Sequence, residues 1–404
     1  MLTVDQRTRR DDEVVPVDAG AFFGDELPER IARDGWLAEP GARELAPRSL
    51  AIAVGGRCWT LSLDDDGLRV HPGDLDAAAL VELDDEQLTD LVHDVRTPMG
   101  FLTGGDLRQP RGRLDDLLDW WVVLRSLLDQ RPAHTAGAIG FHDRDGRPLD
   151  LHQGFDVDSD PEAQAHFLGE AGFLHLRSVF TEEEMAAVSR DMDDAFPHYQ
   201  PDDGRSWWAT TRAGEHRPVR LQHFQEHSPT TAALLDDDRL TRISRLTTDG
   251  HRPDASWGGN VIEALVKPLD VVEGISDLPW HKDCSLGRHS YRCCSMTVGI
   301  SVTGADASTG QLRVVAGSHR ALVQPAFVRR GLDLPEIDLP TRTGDITVHL
   351  SCTMHMSQAP VTAERRVLYT GFRLPDDGRT SAATAAKLSA IREGAYKTVN
   401  QPTR

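Results

Sequence analysis

The apolar and polar positions of residues 1–135 predict a small sheet covered by helices. Between residues 49 and 70, apolar residues alternate with polar ones and are interrupted by glycines, which predicts three strands joined by tight turns. Apolar residues then recur at helical spacing in segments 84–95 and 114–131. The first 30 residues are acidic and predict irregular structure. This part of the chain is therefore expected to be an α+β unit.

In the second half of the chain the predicted helices and strands become shorter. After a polar connection rich in glycine and aspartate, two helical segments flank one strand between residues 161 and 196. From about residue 261 to 372, short apolar strands alternate with turns, a pattern typical of a barrel or jelly roll. We predict an α+β chain in four parts: an α+β domain at 1–135, a linker at 136–160, a jelly-roll domain at 161–375, and a tail at 376–404 with one helix.

Composition limits the partners of the chain. A length of 404 residues favours two domains, and the formal net charge of −20 argues against nucleic acid or an anionic membrane as a partner. No apolar run is long enough to span a bilayer, and the charged N-terminus does not look like a secretory signal. The cysteines are few and lack zinc-type spacing, which favours a reducing cytoplasm over a disulfide framework. They are Cys58, Cys284, Cys293, Cys294 and Cys352. A homodimer is compatible with these features.

Candidate metal ligands begin with His281 and Asp283, because residues i and i+2 of a strand face the same side. A second histidine would complete the two-histidine, one-carboxylate set that binds non-heme iron(II) and leaves coordination sites open. With 17 histidines in the chain, about two such His-x-Asp pairs are expected by chance, so the pair needs support. Downstream, His349 and His355 are both candidates for the third ligand. Paired arginines at 365 and 366 could bind a carboxylate, with Ser357 as a helper.

These elements, in this order, resemble the phytanoyl-CoA dioxygenase family, which includes ectoine hydroxylases. The resemblance extends over about residues 165–374 and rests on Lys267-Pro268, Trp280-His281-x-Asp283, Gly310-x-Leu312, Gly317-Ser318-His319, Gly344-Asp345, His355, Ser357 and Arg366. It implies a double-stranded β-helix, also called a jelly-roll or cupin-like fold. It also implies iron(II), 2-oxoglutarate and O2 as cofactor and co-substrates.

The family spacing assigns roles to individual residues. It implies His281, Asp283 and His355 as metal ligands, and Arg366, Ser357 and Thr297 as contacts of 2-oxoglutarate. It makes His349 a strand residue near the site, and it leaves Arg365 facing solvent or an acid. Lys267 fits a surface position as well as a cofactor contact. Trp207, Trp208 and His223 occupy a segment that relatives use around the substrate.

The resemblance also implies the reaction. Related halogenases replace the carboxylate ligand by a small residue, so Asp283 favours hydroxylation, with release of succinate and CO2. The substrate is expected to be a small organic molecule, for example in secondary metabolism. Two other functions stay open at this point: a lipid or small-molecule carrier with a non-catalytic metal site, and a metal barrel with hydrolytic or isomerase activity.

The first domain resembles sterol-carrier-like domains over about residues 46–130. Such domains form a sheet with helices over a hydrophobic cavity, which would suit a lipid-like substrate. Alternatively, the cavity is filled by the side chains of the domain itself, and the domain serves as a scaffold or dimerisation module. Trp120 and Trp121 lie within an amphipathic helix and favour a filled core.

Overall fold

The structure is a computed structural model, and it describes residues 14–247, 250–253, 261–287 and 295–374, with Ala383, Ala386, Ala390 and Ile391 of the tail. Cys293, Cys294 and most of the predicted tail helix lie outside the described residues. No helix in the described ranges is both long and apolar enough to cross a membrane.

The first domain is a five-stranded sheet packed against helices, as the residue pattern predicts. Its strand order is β3-β2-β1-β4-β5, and β1 pairs with β4 in parallel. The elements are α1 (Ala19–Ala21), α2 (Leu27–Leu45), β1 (Leu50–Val54), β2 (Arg57–Asp64), β3 (Gly67–Pro72), β4 (Ala79–Leu83), α3 (Asp85–Val92), α4 (Pro98–Gly104), β5 (Arg108–Arg111) and α5 (Leu114–Asp129).

The prediction of irregular structure over the first 30 residues is wrong from Ala19 onward. A helix runs from Ala19 to Leu45, with one π-helical stretch at Phe22–Glu26 between α1 and α2. Phe22 and Phe23 on this stretch are buried. The buried apolar residues of this helix are spread between many charged ones, so the helical periodicity is weak in the sequence.

The core of the first domain is filled by its own side chains. Trp120 and Trp121 are both buried, as expected for core residues of α5. The space between α3, α5 and the sheet, lined by Phe22, Phe23 and Trp121 among others, is a cavity of about 10 Å³. That is barely the room needed for one water molecule. A cavity of this size between the described residues of the domain cannot hold a lipid, which favours the scaffold interpretation.

The second domain contains two facing sheets, which are antiparallel except that β6 and β7 pair in parallel. The major sheet has the order β12-β8-β9-β11-β19-β14-β17-β7-β6, with β10 paired to β19, and the minor sheet has the order β13-β18-β15-β16. The strands are β6 (Phe155–Asp156), β7 (Phe173–Arg177), β8 (Ser206–Thr211), β9 (His216–Leu221), β10 (Arg252–Pro253), β11 (Ile262–Lys267), β12 (Val271–Glu273), β13 (Leu278–His281), β14 (Ser295–Ser301), β15 (Leu312–Val315), β16 (Glu336–Leu339), β17 (Ile346–Leu350), β18 (His355–Ser357) and β19 (Arg365–Arg373). The helices are α6 (Pro161–Ala171), α7 (Glu182–Ala195), α8 (Pro229–Leu235) and α9 (Asp238–Thr241). This is the predicted jelly-roll architecture.

The register of the major sheet decides which residues face the minor sheet. Along β19, residues 365, 367 and 369 share one face, and their partners on β11 are residues 267, 265 and 263. On β14, Thr297 and Gly299 lie on this same inner face, because they pair with residues 371 and 369. The opposite, outer face of the sheet packs on helices such as α7. The inner face therefore lies between the two sheets, where a site can be enclosed.

The two largest clusters of buried apolar residues lie mainly on either side of residues 134–154. One comprises residues of the first 133 positions together with Leu322, and the other comprises residues between Phe155 and Phe372. The connection between them is ordered and carries a short bridge between His142 and Pro148. The boundaries at 135 and 160 stay our proposal.

Candidate metal centre

Three predicted ligands meet at the end of the minor sheet. His281 ends β13, His355 begins β18, and these two residues are paired across the sheet. One ligand atom each of His281, Asp283 and His355 lies within 4.8 Å of the others. Asp283 Oδ1 is 3.8 Å from His281 Nε2 and 3.6 Å from His355 Nε2. Two imidazole nitrogens and one carboxylate oxygen therefore converge, as a facial metal set requires.

Both histidines are held in the tautomer that a metal needs. His281 Nδ1 donates to the carbonyl oxygen of Pro279 at 2.7 Å, and His355 Nδ1 donates to that of Thr353 at 2.9 Å. With the proton on Nδ1, the lone pair of Nε2 points at the site. Hydrogen bonds of this kind fix the orientation of metal-bound imidazoles in proteins.

The protonation of the site also suits a cation. Burial raises the pKa of Asp283, but the imidazoles of His355, His349 and His281 outweigh it and hold the pKa of this carboxyl well below its usual range. Burial, together with His349 and His281, holds the pKa of His355 well below its ordinary value. A carboxylate next to a neutral imidazole is the form in which both groups bind metal.

A serine that the sequence marked only as part of a turn connects the two ligand strands. The carbonyl oxygen of Ser318 accepts from Lys282 Nζ at 2.9 Å, and Lys282 lies between the ligands His281 and Asp283. The Ser318 hydroxyl oxygen accepts from the backbone of Met354, just before His355, at 2.8 Å. The Gly-Ser-His turn of the sequence therefore holds both halves of the ligand set.

A cationic pocket lies two residues further along β18. Lys267 Nζ donates to Ser357 Oγ at 2.7 Å, and Arg365 Nη1 approaches the same hydroxyl at 3.1 Å. Lys267 and Arg365 are each only 5% exposed. Among the described residues, no carboxylate lies within ion-pair distance of either cation, and the buried Nε of Arg365 has no hydrogen-bond partner. Two buried cations without an anion fit the distal carboxylate of 2-oxoglutarate.

The prediction that Arg366 faces the cofactor is wrong in the structure. Arg366 lies on the outer face, where it pairs with Asp193 at 2.7 Å and with Glu364 at 2.9 Å. Arg365, which was expected to face solvent or an acid, points into the interior and also donates to the carbonyl oxygen of Gly310. The choice rested on counting eleven residues from His355 across a turn. A difference of one residue in that turn reverses the face of every following side chain.

Thr297 and His349 lie beside Asp283 rather than beside the cationic pocket. Thr297 Oγ1 donates to Asp283 Oδ2 at 2.8 Å, so its predicted contact with 2-oxoglutarate is replaced by a contact with a metal ligand. His349 Nε2 is 3.5 Å from the same Oδ2, and its ring centroid is 4.1 Å from that of His355. His349 therefore lies near the site on its strand, in the position that the family resemblance implied.

The residues predicted to bind substrate lie in different environments. Trp207 pairs with Arg220, whose guanidinium carbon is 4.3 Å from the centre of the indole ring. Arg220 in turn donates to Glu263 at 2.6 Å, on the inner face. Trp208 instead donates to Ser206 Oγ and packs near His216. His223 follows β9 and lies 3.5 Å from Glu226. Trp207 is thus the one of the three whose strand partner lies on the inner face.

The first domain touches the loop that carries Asp283. Thr97 Oγ1 donates to the carbonyl oxygen of Ser285, and the backbone nitrogen of Thr97 donates to that of Leu286 at 3.0 Å. Thr97 is also the N-cap of α4. No sequence signal pointed to this contact, which joins residues 188 positions apart.

Comparisons with known proteins agree with the architecture of the second domain. Residues 168–368 match the family model described as phytanoyl-CoA dioxygenase (PhyH). No sequence among the curated proteins matches the chain.

Three solved structures illustrate the similarity. AviO1 from Streptomyces viridochromogenes Tue57 is 20% identical, with a TM-score of 0.42 over 54% of this chain and 96% of that chain. The epimerase SnoN, in complex with Fe3+, alpha ketoglutarate and nogalamycin RO, is 19% identical, with a TM-score of 0.42 over 53% and 83%. EctD from S. alaskensis, with 2-oxoglutarate and 5-hydroxyectoine, is 18% identical, with a TM-score of 0.43 over 60% and 86%. Through residues 168–368 the chain belongs to the phytanoyl-CoA dioxygenase family, and it is an iron(II)- and 2-oxoglutarate-dependent oxygenase.

Proposed function

We propose that the protein hydroxylates a C–H bond of a small organic substrate, such as an intermediate of secondary metabolism. In the overall reaction, 2-oxoglutarate, O2 and the substrate give succinate, CO2 and the hydroxylated product. The observation that carries this proposal is the pairing of two sites: the set of His281, Asp283 and His355, and an unpaired cationic pocket close to it on β18.

The first of these sites is proposed to hold iron. His281 and His355 would bind through Nε2 and Asp283 through Oδ1, because these atoms converge and both Nδ1 protons are already engaged. Iron(II) bound there supplies the activation of O2 and the removal of a hydrogen atom from the substrate. The protein contributes the fixed ligand geometry and leaves three coordination positions for the other reactants.

The second site is proposed to orient 2-oxoglutarate. Arg365, Lys267 and Ser357 would bind the carboxylate far from the metal, since the two cations have no protein counter-ion within ion-pair distance in the described part of the chain and share the Ser357 hydroxyl. Ser357 is two residues from His355 on the same strand, so a dicarboxylate of this length can reach both sites. Charged hydrogen bonds of this kind are stronger than neutral ones and fix the direction of the bound acid.

Asp283 favours hydroxylation over halogenation. In halogenases of this kind the carboxylate ligand is absent and a halide occupies its position. Here Oδ1 of Asp283 faces both ligand imidazoles, and Oδ2 is already engaged by Thr297. The carboxylate therefore occupies the position that a halide would need.

The inner face beside the site is proposed to receive the substrate. Trp207, Arg220 and Glu263 offer an aromatic ring, a cation and a carboxylate on neighbouring strands. Such a combination suits a small molecule with both apolar and polar groups. The net charge of −20 makes a polyanionic substrate unfavourable.

The experiment that tests this function measures succinate. Purified protein with iron(II), 2-oxoglutarate, O2 and ascorbate should form succinate, CO2 and water at a slow uncoupled rate even without the true substrate, because ascorbate supplies the two electrons that the substrate would otherwise give. His281→Ala and His355→Ala should reduce this rate to background, whereas His166→Ala, a remote substitution on α6, should leave it unchanged. Succinate formation that persists in both ligand variants would refute the proposed site.

A further inference from the structure

The carboxylate of Asp283 has two different sides. Its Oδ1 faces the two ligand imidazoles, at 3.8 Å from His281 Nε2 and 3.6 Å from His355 Nε2. Its Oδ2 faces the major sheet, where Thr297 Oγ1 donates to it at 2.8 Å and His349 Nε2 lies 3.5 Å away. Each oxygen of this ligand therefore has its own pair of neighbours.

His349 is built into the sheet at this point. It lies on β17 directly opposite Thr297 on β14 and opposite Phe173 on β7, so a paired strand lies on each side of it. It is 1% exposed. A ring held by strands on both sides cannot swing away without disturbing the sheet, so its position relative to Asp283 is fixed.

Both nitrogens of His349 lack a hydrogen-bond partner among the described residues. Buried polar groups in folded proteins are almost always hydrogen bonded, and the exceptions often mark a functional site. Asp283 Oδ2 lies 3.5 Å from His349 Nε2, so a small shift of this carboxylate would bring the two atoms to hydrogen-bond distance. The Nε2–H group of His349 is thus placed to donate a hydrogen bond to this carboxylate oxygen.

The geometry argues against His349 as a fourth ligand. The three residues whose donor atoms all lie within 4.8 Å of one another are His281, Asp283 and His355, and His349 is not among them. A fourth protein ligand would also take one of the positions that 2-oxoglutarate and O2 need.

We infer that His349 is a positioning residue that, with Thr297, holds the outer oxygen of Asp283 and keeps this carboxylate bound to the metal through Oδ1 alone. The inference rests on the proposed iron site and deepens it. A carboxylate free to turn could offer both oxygens and occupy one more coordination position. Holding Oδ2 from the sheet side prevents this, in the way that outer hydrogen bonds orient metal ligands elsewhere.

The test compares metal binding in variants that differ in one donor. His349→Gln keeps an N–H donor in the sheet, whereas His349→Phe removes it and keeps a planar ring. Anaerobic titration with iron(II), followed by protein fluorescence, should show binding at least tenfold weaker for His349→Phe and within threefold of wild type for His349→Gln. His166→Phe is the matched control and should bind iron(II) as wild type does.

Cobalt(II) supplies a readout that does not depend on activity. Its visible absorption intensity rises when the coordination number falls, so it reports a change in how Asp283 binds. The spectrum of His349→Gln should match wild type and that of His349→Phe should differ. Equal affinities and spectra for His349→Phe and wild type would overturn the inference. So would loss of metal binding in His349→Gln as complete as in His281→Ala, since it would make His349 a ligand.

Thr297 gives a second route if His349→Phe does not fold. Thr297→Val should weaken iron(II) binding about tenfold and Thr297→Ser should not, because both donors serve the same oxygen. No effect in Thr297→Val would count against the inference. Failure of the proposed function looks different: wild-type protein itself would then bind neither iron(II) nor cobalt(II).

Discussion

Both halves of the molecule bury arginine, but they treat its charge in opposite ways. In the first domain, Arg96 Nε lies 2.6 Å from Asp90, and both side chains are almost fully buried. In the second domain, Arg365 and Lys267 are equally buried and meet only hydroxyl and carbonyl oxygens in the described residues. A paired buried cation is explained by the fold alone. An unpaired one indicates an anion that the fold has left room for.

The interiors of the two domains also differ in their polarity. Apolar side chains fill the first domain and leave a cavity of only about 10 Å³. The region between the two sheets of the second domain holds the imidazoles of His281, His349 and His355, the carboxylate of Asp283, and the cations Lys267 and Arg365. The interior of the first domain is apolar and stabilises the fold. The interior of the second domain contains polar groups whose partners would be the cofactors. The predictions that follow test this contrast.

The largest effect is expected in the first domain, on stability only. Asp90→Ala removes the buried partner of Arg96, which then keeps only its pair with the more exposed Asp106, and should lower the free energy of unfolding by about 3 kcal/mol. Chemical denaturation measures this, and the Michaelis constant for 2-oxoglutarate should not change. The matched control is Glu82→Ala, whose pair with Arg108 is exposed and should contribute less than about 1 kcal/mol. An Asp90→Ala protein of normal stability would mean that the buried pair is not structural.

Substitutions of the adjacent residues Arg365 and Arg366 should separate binding of the co-substrate from ion pairing on the outer face of the sheet. Arg365→Met should weaken 2-oxoglutarate binding by about 100-fold, because it removes a buried charged hydrogen bond to the co-substrate. Arg366→Met should change this affinity by less than about threefold, because it loses only outer-face pairs. Calorimetric titration of the iron-loaded variants gives both numbers. The reverse order would restore the assignment made from residue counting.

Replacing Lys267 by an uncharged residue should stabilise the ligand-free protein and weaken its binding of 2-oxoglutarate. Burial, with a smaller effect of Arg365, lowers the pKa of Lys267 to about 7, while Asp277 opposes the change. The fold therefore disfavours the charged form, and the stability of the ligand-free protein should increase as the pH rises from about 7 towards the unfolded pKa. Lys267→Met removes this cost and should raise the melting temperature below pH 7.

The same substitution should weaken 2-oxoglutarate binding about tenfold at pH 6.5. In wild-type protein the affinity should decline as the pH rises through about 7, since the ammonium group loses its proton. In Lys267→Met this part of the pH dependence should vanish. Titrations at several pH values measure it. A decline of equal size in both proteins would show that Lys267 does not contact the co-substrate.

The smallest effect is expected where the two domains meet. Thr97→Val removes the hydroxyl that caps α4 and donates to Ser285, two residues after Asp283. Iron(II) binding should weaken about threefold, since the ligand loop loses one support. Thr97→Ser keeps the hydroxyl and should bind iron(II) normally. Equal binding by both variants would show that the first domain does not support the metal centre.

The sequence was sufficient where chemistry and strand periodicity act locally. His281 and Asp283 reach the same site because they are only two residues apart, although β13 ends at His281 and Asp283 lies in the turn that follows it. Trp120 and Trp121 are buried because α5 is covered on nearly all sides. Gly310 is explained by its surroundings: a Cβ there would lie 2.1 Å from the carbonyl oxygen of Gln358. Its own carbonyl oxygen accepts from Ser357 and Arg365.

The sequence was insufficient where the answer depends on a turn or on a distant segment. Arg365 and Arg366 differ only in strand phase, which the turn before β19 sets. Thr297 and His349 are brought to Asp283 by the pairing of β14 with β17, which their local sequence does not encode. The contact of Thr97 with Ser285 depends on the packing of two domains. Long-range geometry of this kind follows from the whole fold.

The most direct test of the metal and co-substrate sites is an anaerobic titration of iron(II)-loaded protein with 2-oxoglutarate. We expect a weak visible absorption band, from charge transfer between iron(II) and the bound co-substrate, to grow and saturate in wild-type protein. It should be absent in His355→Ala and in His281→Ala. A wild-type protein that binds iron(II) but never develops the band, or ligand variants that keep it, would contradict the account.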